Sequence, residues 1–277
     1  MEEIEFYKMS GAGNDFILVD NRAGVFDFSD IGLAVAKLCR RRISIGADGL
    51  ILIEVSGREG LDFRWRFYNA DGSEAPMCGN AARCAARLSF LLGISGRKVS
   101  FLTGAGVVGG EVLRSGRVRI DMTDPADIRL NRTISVDDGA VSYDFIEVGV
   151  PHVVVTEENV DGVDVDRLGR SIRFHEAFSP NGANVNFISA AEKNVIKIRT
   201  YERGVEGETL ACGTGATAAA VTVFLKGKVK PPVTIVPASG IPLVIDFKPI
   251  GNTITGVSLE GDARMIYRGK FNTEALD

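Results

Sequence analysis

One stretch of this chain has no charged position at all. "GTGATAAAVTVFL", Gly213 to Leu225, is small and apolar on every side at helical spacing. A helix of that kind belongs in an interior. It should end near Lys226 and Gly227, ahead of Pro231 and Pro232. A second alanine-rich helix is expected from Gly79 to about Leu92, with Ala81, Ala85, Leu88 and Leu92 on one side and Gly93 as the stop. It carries Arg83 and Arg87, so it is expected to be the less enclosed of the two. "SDIGLAVAKLCRR" and "VDRLGRSIR" predict two further helices, the first capped by Ser29 with Ile31, Val35, Leu38 and Cys39 on one face.

Most of the remainder alternates or runs apolar over short spans, the pattern of strands. "IEFYKMS" and "DFILVD" flank a Gly-rich loop from Gly11 to Asn14. "GLILIEV", "FRWRFYN", "KVSFLTG", "VVGGEVLRSGRVRIDM", "VSYDFIEVGV", "NVNFISA" and "VIKIRTYE" follow, and the tail adds "LVIDF", "TITGVSLE" and "ARMIYRGKF". Strands with few helices and no regular β-α-β alternation predict an α+β fold. Alanines let strands approach closely, so a sheet is expected to curl around the Gly213 helix. The chain also repeats itself. "FRWRFYNADGSEAPMCGNAARCAARLSFLL" and "VIKIRTYERGVEGETLACGTGATAAAVTVFL" share the order strand, polar turn, Cys-Gly, helix. That pattern reads as two copies of one unit, one per domain.

Composition excludes several classes. The chain has 277 residues, 45% hydrophobic and 25% charged, enough for one large or two modest domains with a good core. A net charge of −4 with mixed signs leaves no basic footprint for nucleic acid. No apolar run reaches the ~18 residues of a membrane-spanning helix. The acidic start "MEEIEFYKMSG" lacks a signal-peptide pattern. Four cysteines in this length do not make a disulfide scaffold, so a reducing cytoplasm is the expected address.

The two Cys-Gly junctions concentrate the chemistry. A helix start leaves N–H groups unpaired and carries the positive end of the dipole. A cysteine there has its thiolate favoured, and the following glycine lets a ligand approach the backbone. The same N–H groups can hold a carboxylate. Two such units offer two sulfurs and two anion sites, the parts needed to take a proton from one face of a carbon and return one to the other. Cys39 and Cys84 fit the plainer description of small buried hydrophobes. "GAGVVG", Gly104 to Gly109, matches a dinucleotide fingerprint, but a hairpin follows where a helix is required. No metal site is expected: Cys78 and Cys84 point to different faces, and the histidines are only His152 and His175. Neither a C-x-x-C motif nor a serine nucleophile elbow is present.

Six segments carry a family resemblance: "KMSGAGNDFILVD", "GADGL", "YNADGSEAPMCGNAARC", "GVPHVVV", "NVNF" and "YERGVEGETLACGTGA". In order and over essentially the full length, the chain resembles the diaminopimelate epimerases, amino-acid epimerases that use no cofactor. The resemblance implies two pseudo-symmetric domains, each a curled mixed sheet or open barrel around a central helix. It places the domains at 1–122 plus 263–277 and at 123–262, with the last strands returning to the first. It implies Cys78 and Cys212 as the catalytic cysteines. His152 would sit near Cys78 and help set its ionisation, and Glu202 would poise Cys212 or meet the substrate ammonium. Gly79, Asn80, Gly213 and Thr214 would grip the carboxylate at the reacting carbon. Asn14, Asn69, Asn184, Glu202 and Arg203 would contact substrate, Arg203 by pairing with the distal carboxylate. Read alone, these asparagines are turn residues and His152 a satisfied interior histidine. Two positions depart from the family pattern: Val150 stands where many members have Asn before Pro-His, and Gly49 where some carry Gln.

The implied activity converts LL-2,6-diaminoheptanedioate to its meso form for lysine and cell-wall synthesis, with neither pyridoxal phosphate nor metal. The implied partners are a small amino-acid substrate and a second copy of the chain, with no nucleic acid or membrane. Two alternatives stand beside it: a racemase of another amino acid with the same two thiols, and a thiol-redox or non-catalytic amino-acid-binding protein.

Overall fold

The structure, a computed structural model, describes residues 3–136, 139–251 and 253–277. The acidic N-terminal stretch begins on Met1 and Glu2, which lie outside the described residues. Along the chain run β1 (Ile4–Gly11), β2 (Asn14–Asp20), α1 (Ile31–Leu38), β3 (Gly49–Glu54), β4 (Phe63–Asn69) and β5 (Glu74–Ala75). Then come α2 (Gly79–Leu91), β6 (Lys98–Thr103), β7 (Gly106–Val112), β8 (Val118–Asp121), β9 (Ala126–Val136), β10 (Gly139–Glu147) and β11 (Pro151–Thr156). The remainder is α3 (Val165–Arg173), β12 (Asn184–Glu192), β13 (Val195–Glu202), β14 (Gly207–Thr209), α4 (Gly213–Leu225), β15 (Val233–Val236), β16 (Leu243–Ile250), β17 (Thr253–Gly261) and β18 (Arg264–Phe271). Two compact units result, Met1–Ile120 with Gly261–Asp277, and Asp121–Glu260.

The units repeat one topology. In the first, the strand order is β18-β1-β2-β3-β4-β6-β7-β8, with β2–β3 and β4–β6 parallel and the other pairs antiparallel. In the second it is β9-β10-β11-β12-β13-β15-β16-β17, with β11–β12 and β13–β15 parallel and the others antiparallel. The parallel steps fall at the same two places. Each needs a crossover, and α1, α2, α3 and α4 supply them in turn. The internal repeat seen in the sequence is therefore a repeat of whole sheets.

Each sheet curls. α2 touches β1, β2, β3, β7 and β18, strands from both ends of its ladder. α4 touches β10, β11, β12, β13, β15 and β16. Alanine makes this enclosure feasible, since Ala81, Ala82, Ala85 and Ala86 on α2 and Ala216 and Ala218 to Ala220 on α4 are all buried. The ladders stay open, with no β18–β8 or β9–β17 pairing among the described residues. The outer helices pack on the opposite faces: Val35 and Leu38 of α1 against Ile17, Val19, Leu50 and Leu52, and Val165 and Ile172 of α3 against Val153, Val155, Val185 and Phe187.

Two expectations are corrected. The cap of α1 is Asp30, whose carboxylate accepts from the Leu33 N–H at 2.9 Å, and not Ser29. The carboxylate is already one residue nearer the N3 amide that a cap must satisfy. α2 is also no less enclosed at Arg83, which is wholly buried. Its guanidinium is compatible with the interior because backbone and side-chain oxygens accept from it.

Gly49 has a packing reason. A Cβ there would lie 2.5 Å from the Tyr68 carbonyl oxygen and 2.9 Å from the Phe67 ring. Both neighbours belong to the adjacent strand and cannot withdraw. Gly49→Ala is expected to lower stability by about 1–3 kcal/mol, the usual range for overpacking. Urea denaturation checks this, and an unchanged midpoint would contradict it.

Candidate active site

Strand register gathers the residues named from the sequence at one end of each sheet. In the first unit Asn14 opens β2, Gly49 opens β3, and Gly49 pairs across with Asn69 at the end of β4. In the second, His152 and Asn184 are parallel-strand partners at the start of β11 and β12, and Glu202 closes β13. At this end each enclosed helix begins, with Cys78 in the N-cap position of α2 and Cys212 in that of α4, both in extended backbone. The side chains differ in what they do there: Cys78 makes no side-chain cap hydrogen bond, whereas Cys212 does. The Cys212 sulfur accepts from the Gly215 N–H at 3.4 Å and lies 3.4 Å from the Thr214 hydroxyl.

The four cysteines divide by environment. Cys39 and Cys84 are buried, and desolvation pushes both thiols up to about 12. They are inert at neutral pH. Cys78 and Cys212 are half-exposed.

Within the first unit Asn80 and Asn14 meet, the Asn80 amide donating to the Asn14 carbonyl oxygen at 2.6 Å. Asn69 does not join them; it is exposed and donates to the Ser73 hydroxyl at 3.0 Å in the turn before β5. Within the second unit Asn184 joins two segments. Its amide oxygen accepts from the Arg203 N–H at 2.8 Å, and its nitrogen donates to the Pro151 carbonyl at 3.3 Å. Among the described residues the Arg203 guanidinium makes no ion pair. The Glu202 carboxylate accepts from the Thr209 hydroxyl at 2.9 Å. Burial raises its pKa, with that hydroxyl opposing the shift. A cavity of about 360 Å³ lined by Asp161, Lys197, Arg199 and Pro237 contains none of these residues.

His152 is fully buried, and its state is determined by Asn186, a residue the sequence reading passed over. The Asn186 nitrogen donates to the Val153 carbonyl at 2.9 Å. A carbonyl only accepts, so that atom is the amide nitrogen and not the oxygen. Its other hydrogen faces His152 Nδ1 at 3.2 Å, while the Asn186 oxygen accepts from the Thr200 hydroxyl at 3.0 Å. His152 Nδ1 is therefore an acceptor, and the ring proton resides on Nε2. That N–H is buried with no partner among the described residues. Burial, and secondarily the charge on Arg203, pull the imidazole from 6.5 to about 3. A neutral ring with its proton on Nε2 can donate a hydrogen bond but cannot accept a proton there. Period-2 alternation would have revealed Asn186, because Asn184 and Asn186 share one face of β12. Arg83 and Asp48, to which the sequence reading gave no role in the site, contact Asn80 and Asn14.

Two comparable sheets, each curled around a helix that begins at Cys-Gly, define the fold of the amino-acid racemases and their relatives. The structure is similar to a probable proline racemase from Agrobacterium radiobacter K84 with bound carbonate (TM-score 0.72, 13% identity, covering 98% of this chain and 95% of that one). It is similar also to a PhzF-family phenazine biosynthesis protein from Bacillus anthracis (TM-score 0.74, 13% identity, 98% and 100%). In sequence, the family model described as diaminopimelate epimerase matches residues 6–128 and 145–266. The diaminopimelate epimerase of Aquifex aeolicus (strain VF5) is 45% identical over 99% of this chain and all of that protein. That of Hydrogenobaculum sp. (strain Y04AAS1) is 41% identical over 96% and 98%. The chain belongs to the diaminopimelate epimerase family.

The His152 assignment has a spectroscopic consequence. In ¹⁵N-edited NMR the ring is expected as the Nε2–H form at neutral pH, with no protonation until the pH approaches 3. Unfolded, the same ring takes up a proton near 6.5. The unfolded state therefore binds more protons between about 6.5 and 3, and this histidine's stabilising contribution, complete above 6.5, is lost as pH falls through that window. A ring that titrates near 6.5 in the folded protein would contradict the assignment.

Proposed function

We propose that this protein epimerises LL-2,6-diaminoheptanedioate to the meso form with Cys78 and Cys212 as the two proton-transfer groups. The observation that carries the reading is the duplicated Cys-Gly start of an enclosed helix, in a chain of the diaminopimelate epimerase family. One cysteine, as thiolate, takes the α-proton: an S–H bond forms, the C–H bond breaks, and the electron pair stays on carbon, delocalised into the carboxylate. The other cysteine, as thiol, gives its proton to the opposite face and is left as thiolate. The reverse direction exchanges the roles.

The developing charge is met by N–H groups at Gly79, Asn80, Gly213 and Thr214, fixed donors that need little reorganisation. Neither a metal nor pyridoxal phosphate enters this scheme. His152, neutral, would donate to a thiolate from Nε2 and so favour that form without acting as its base. Glu202, held in a site that disfavours its charge, would exchange protons with Cys212 or meet the ammonium group. Asn14, Asn69 and Asn184 would contact substrate. Arg203 would hold the distal carboxylate, a task to which Val150 contributes no polar atom.

The second reading keeps the chemistry and changes the substrate. One neighbour in fold is a hydroxyproline epimerase from Agrobacterium vitis with bound trans-4-hydroxy-L-proline (TM-score 0.70, 14% identity). A monocarboxylic substrate would leave Arg203 with nothing to bind, so the dicarboxylate is favoured. We also place the protein in the cytoplasm; among the described residues no helix is long and apolar enough to cross a membrane. A homodimer fits the three adjacent exposed side chains Met265, Ile266 and Tyr267 on β18.

Cys78→Ala and Cys212→Ala are each expected to lower epimerisation by roughly 10²–10⁴-fold while circular dichroism remains that of the parent. Near-normal turnover by either variant would refute the two-thiol scheme. Arg203→Ala should reduce kcat/KM for diaminopimelate about tenfold or more, the loss of a charge-assisted pair worth roughly 1.5–3 kcal/mol. Faster racemisation of a monocarboxylic amino acid by the parent protein would overturn the substrate assignment and leave the mechanism standing.

A further inference from the structure

Arg83 lies wholly inside the first unit. A guanidinium has five N–H donors, no acceptor, and stays protonated in proteins. Every atom around it must therefore accept. Nε donates to the Asp262 carbonyl at 3.1 Å, Nη1 to the Gly79 carbonyl at 3.2 Å, and Nη2 to Asn80 Oδ1 at 2.8 Å. With its oxygen held by Arg83, Asn80 presents Nδ2 on the other side, where it donates to Asn14 Oδ1 at 2.6 Å. Asn14 in turn presents Nδ2 onward and donates to Asp48 Oδ2 at 3.1 Å.

A carboxylate can only accept. Four side chains thus form a line of donation that begins at a group with no acceptor and ends at one with no donor. Flipping either amide would set nitrogen against nitrogen at one contact and oxygen against oxygen at the next. Amide orientation is often an arbitrary assignment, but here both ends determine it. The far end is itself anchored. Asp48 accepts from the Asp15 N–H at 3.1 Å and from Arg41 at 2.8 Å, and Arg41 and Lys8 both pair with Asp15. Gly11 leaves the room required, since a Cβ there would come within 3.0 Å of the Asn80 carbonyl and 3.5 Å of the Arg83 guanidinium.

We propose that Arg83 and Asp48 are positioning residues of this enzyme: together they lock the Asn80 and Asn14 amides into the single orientation in which Asn14 Nδ2, with one hydrogen on Asp48, has its second N–H to offer the substrate. The proposal rests on the assignment of Asn14 and Asn80 to substrate contact made above. Its function is preorganisation. An unpinned amide spends part of its time offering oxygen to a carboxylate, and that part is unproductive. The loss should appear in kcat as well as in KM, because donors to the carboxylate strengthen as charge flows into it.

The test compares variants that keep the polarity of the line with variants that lose it. Arg83→Lys retains an all-donor head and Asp48→Glu an all-acceptor tail. Arg83→Gln and Asp48→Asn replace each end by an amide that can do either. Steady-state rates with diaminopimelate are normalised to folded protein and accompanied by thermal melts. Asp48→Asn and Arg83→Gln are expected to lower kcat/KM about tenfold, with part of the fall in kcat, while the charge-retaining variants stay within about threefold of the parent. If Arg83 serves only to fill the interior, Arg83→Lys and Arg83→Gln will melt early together and the folded fraction of each will keep the parent's kcat and KM; that result overturns the proposal. Should Arg83→Gln not fold, Asp48→Asn decides alone: kinetics within twofold of the parent, with an unchanged melt, also overturn it. A parent protein that does not act on diaminopimelate defeats the functional reading and the proposal with it, whereas an active parent with unaffected variants defeats the proposal alone.

Discussion

A helix enclosed by its own sheet must direct the N–H groups of its first turn somewhere. Buried and unsatisfied, they would be costly. In both units the solution is the same: the helix begins at the open end of the curled sheet, with an extended cysteine in the cap position. Much else follows from that constraint. The alanines let the strands close on the helix. Strand register then brings Asn14 and Asn69 to the same end in one unit, and His152, Asn184 and Glu202 in the other. The helix start would then serve as structure and as the anion-binding part of the site at once.

The two units share topology and cap but differ in the polar groups behind the cap. In the first, charged groups end the line at both extremities, Arg83 and Asp48, and amides lie between. In the second the corresponding depth holds a neutral imidazole whose proton position is determined by Asn186 and, through it, by one backbone carbonyl. Both arrangements use the same principle. Groups with only one hydrogen-bonding sense, a guanidinium, a carboxylate or a carbonyl, determine the orientation of groups that have two. Burial makes that determination strict at Arg83, Asn80, His152 and Asn186, where water is not present to satisfy the wrong orientation. It also explains why Glu202 and His152 are both driven toward their neutral forms.

Much of the fold was legible because α2 and α4 are unusual as sequences. Alanine runs without a charged face announce enclosure, and their matching Cys-Gly starts announce duplication. Strands with one buried face, such as β4 and β13, were equally clear. β9 was not, since it is exposed along most of its length and Arg132 interrupts the alternation of Ile128, Leu130, Ile134 and Val136. β11 was noticed only as the motif "GVPHVVV", because a continuous apolar run does not declare its own structure. The cap of α1 shows the limit of local rules, as Ser29 and Asp30 both suit the position and only the backbone decides. The candidate site was legible through its cysteines and the resemblance. Arg83 was misread because a charge on a helix ordinarily marks the wet face, and one of its three acceptors, the Asp262 carbonyl, lies far away in sequence. Asp48 and Asn186 lie inside the segments "GADGL" and "NVNF", but they act on other residues, so the motifs alone gave them no role.

The central claim is that two separate sulfurs handle the proton on the two faces of one carbon. Isotope partitioning in the first few per cent of reaction in D₂O tests it directly. Starting from LL-diaminopimelate, the account predicts meso product carrying one solvent deuterium at the inverted carbon, and recovered substrate that is still protiated there. A single group swinging between faces would return the original hydrogen, so early product with protium at that carbon would contradict the account.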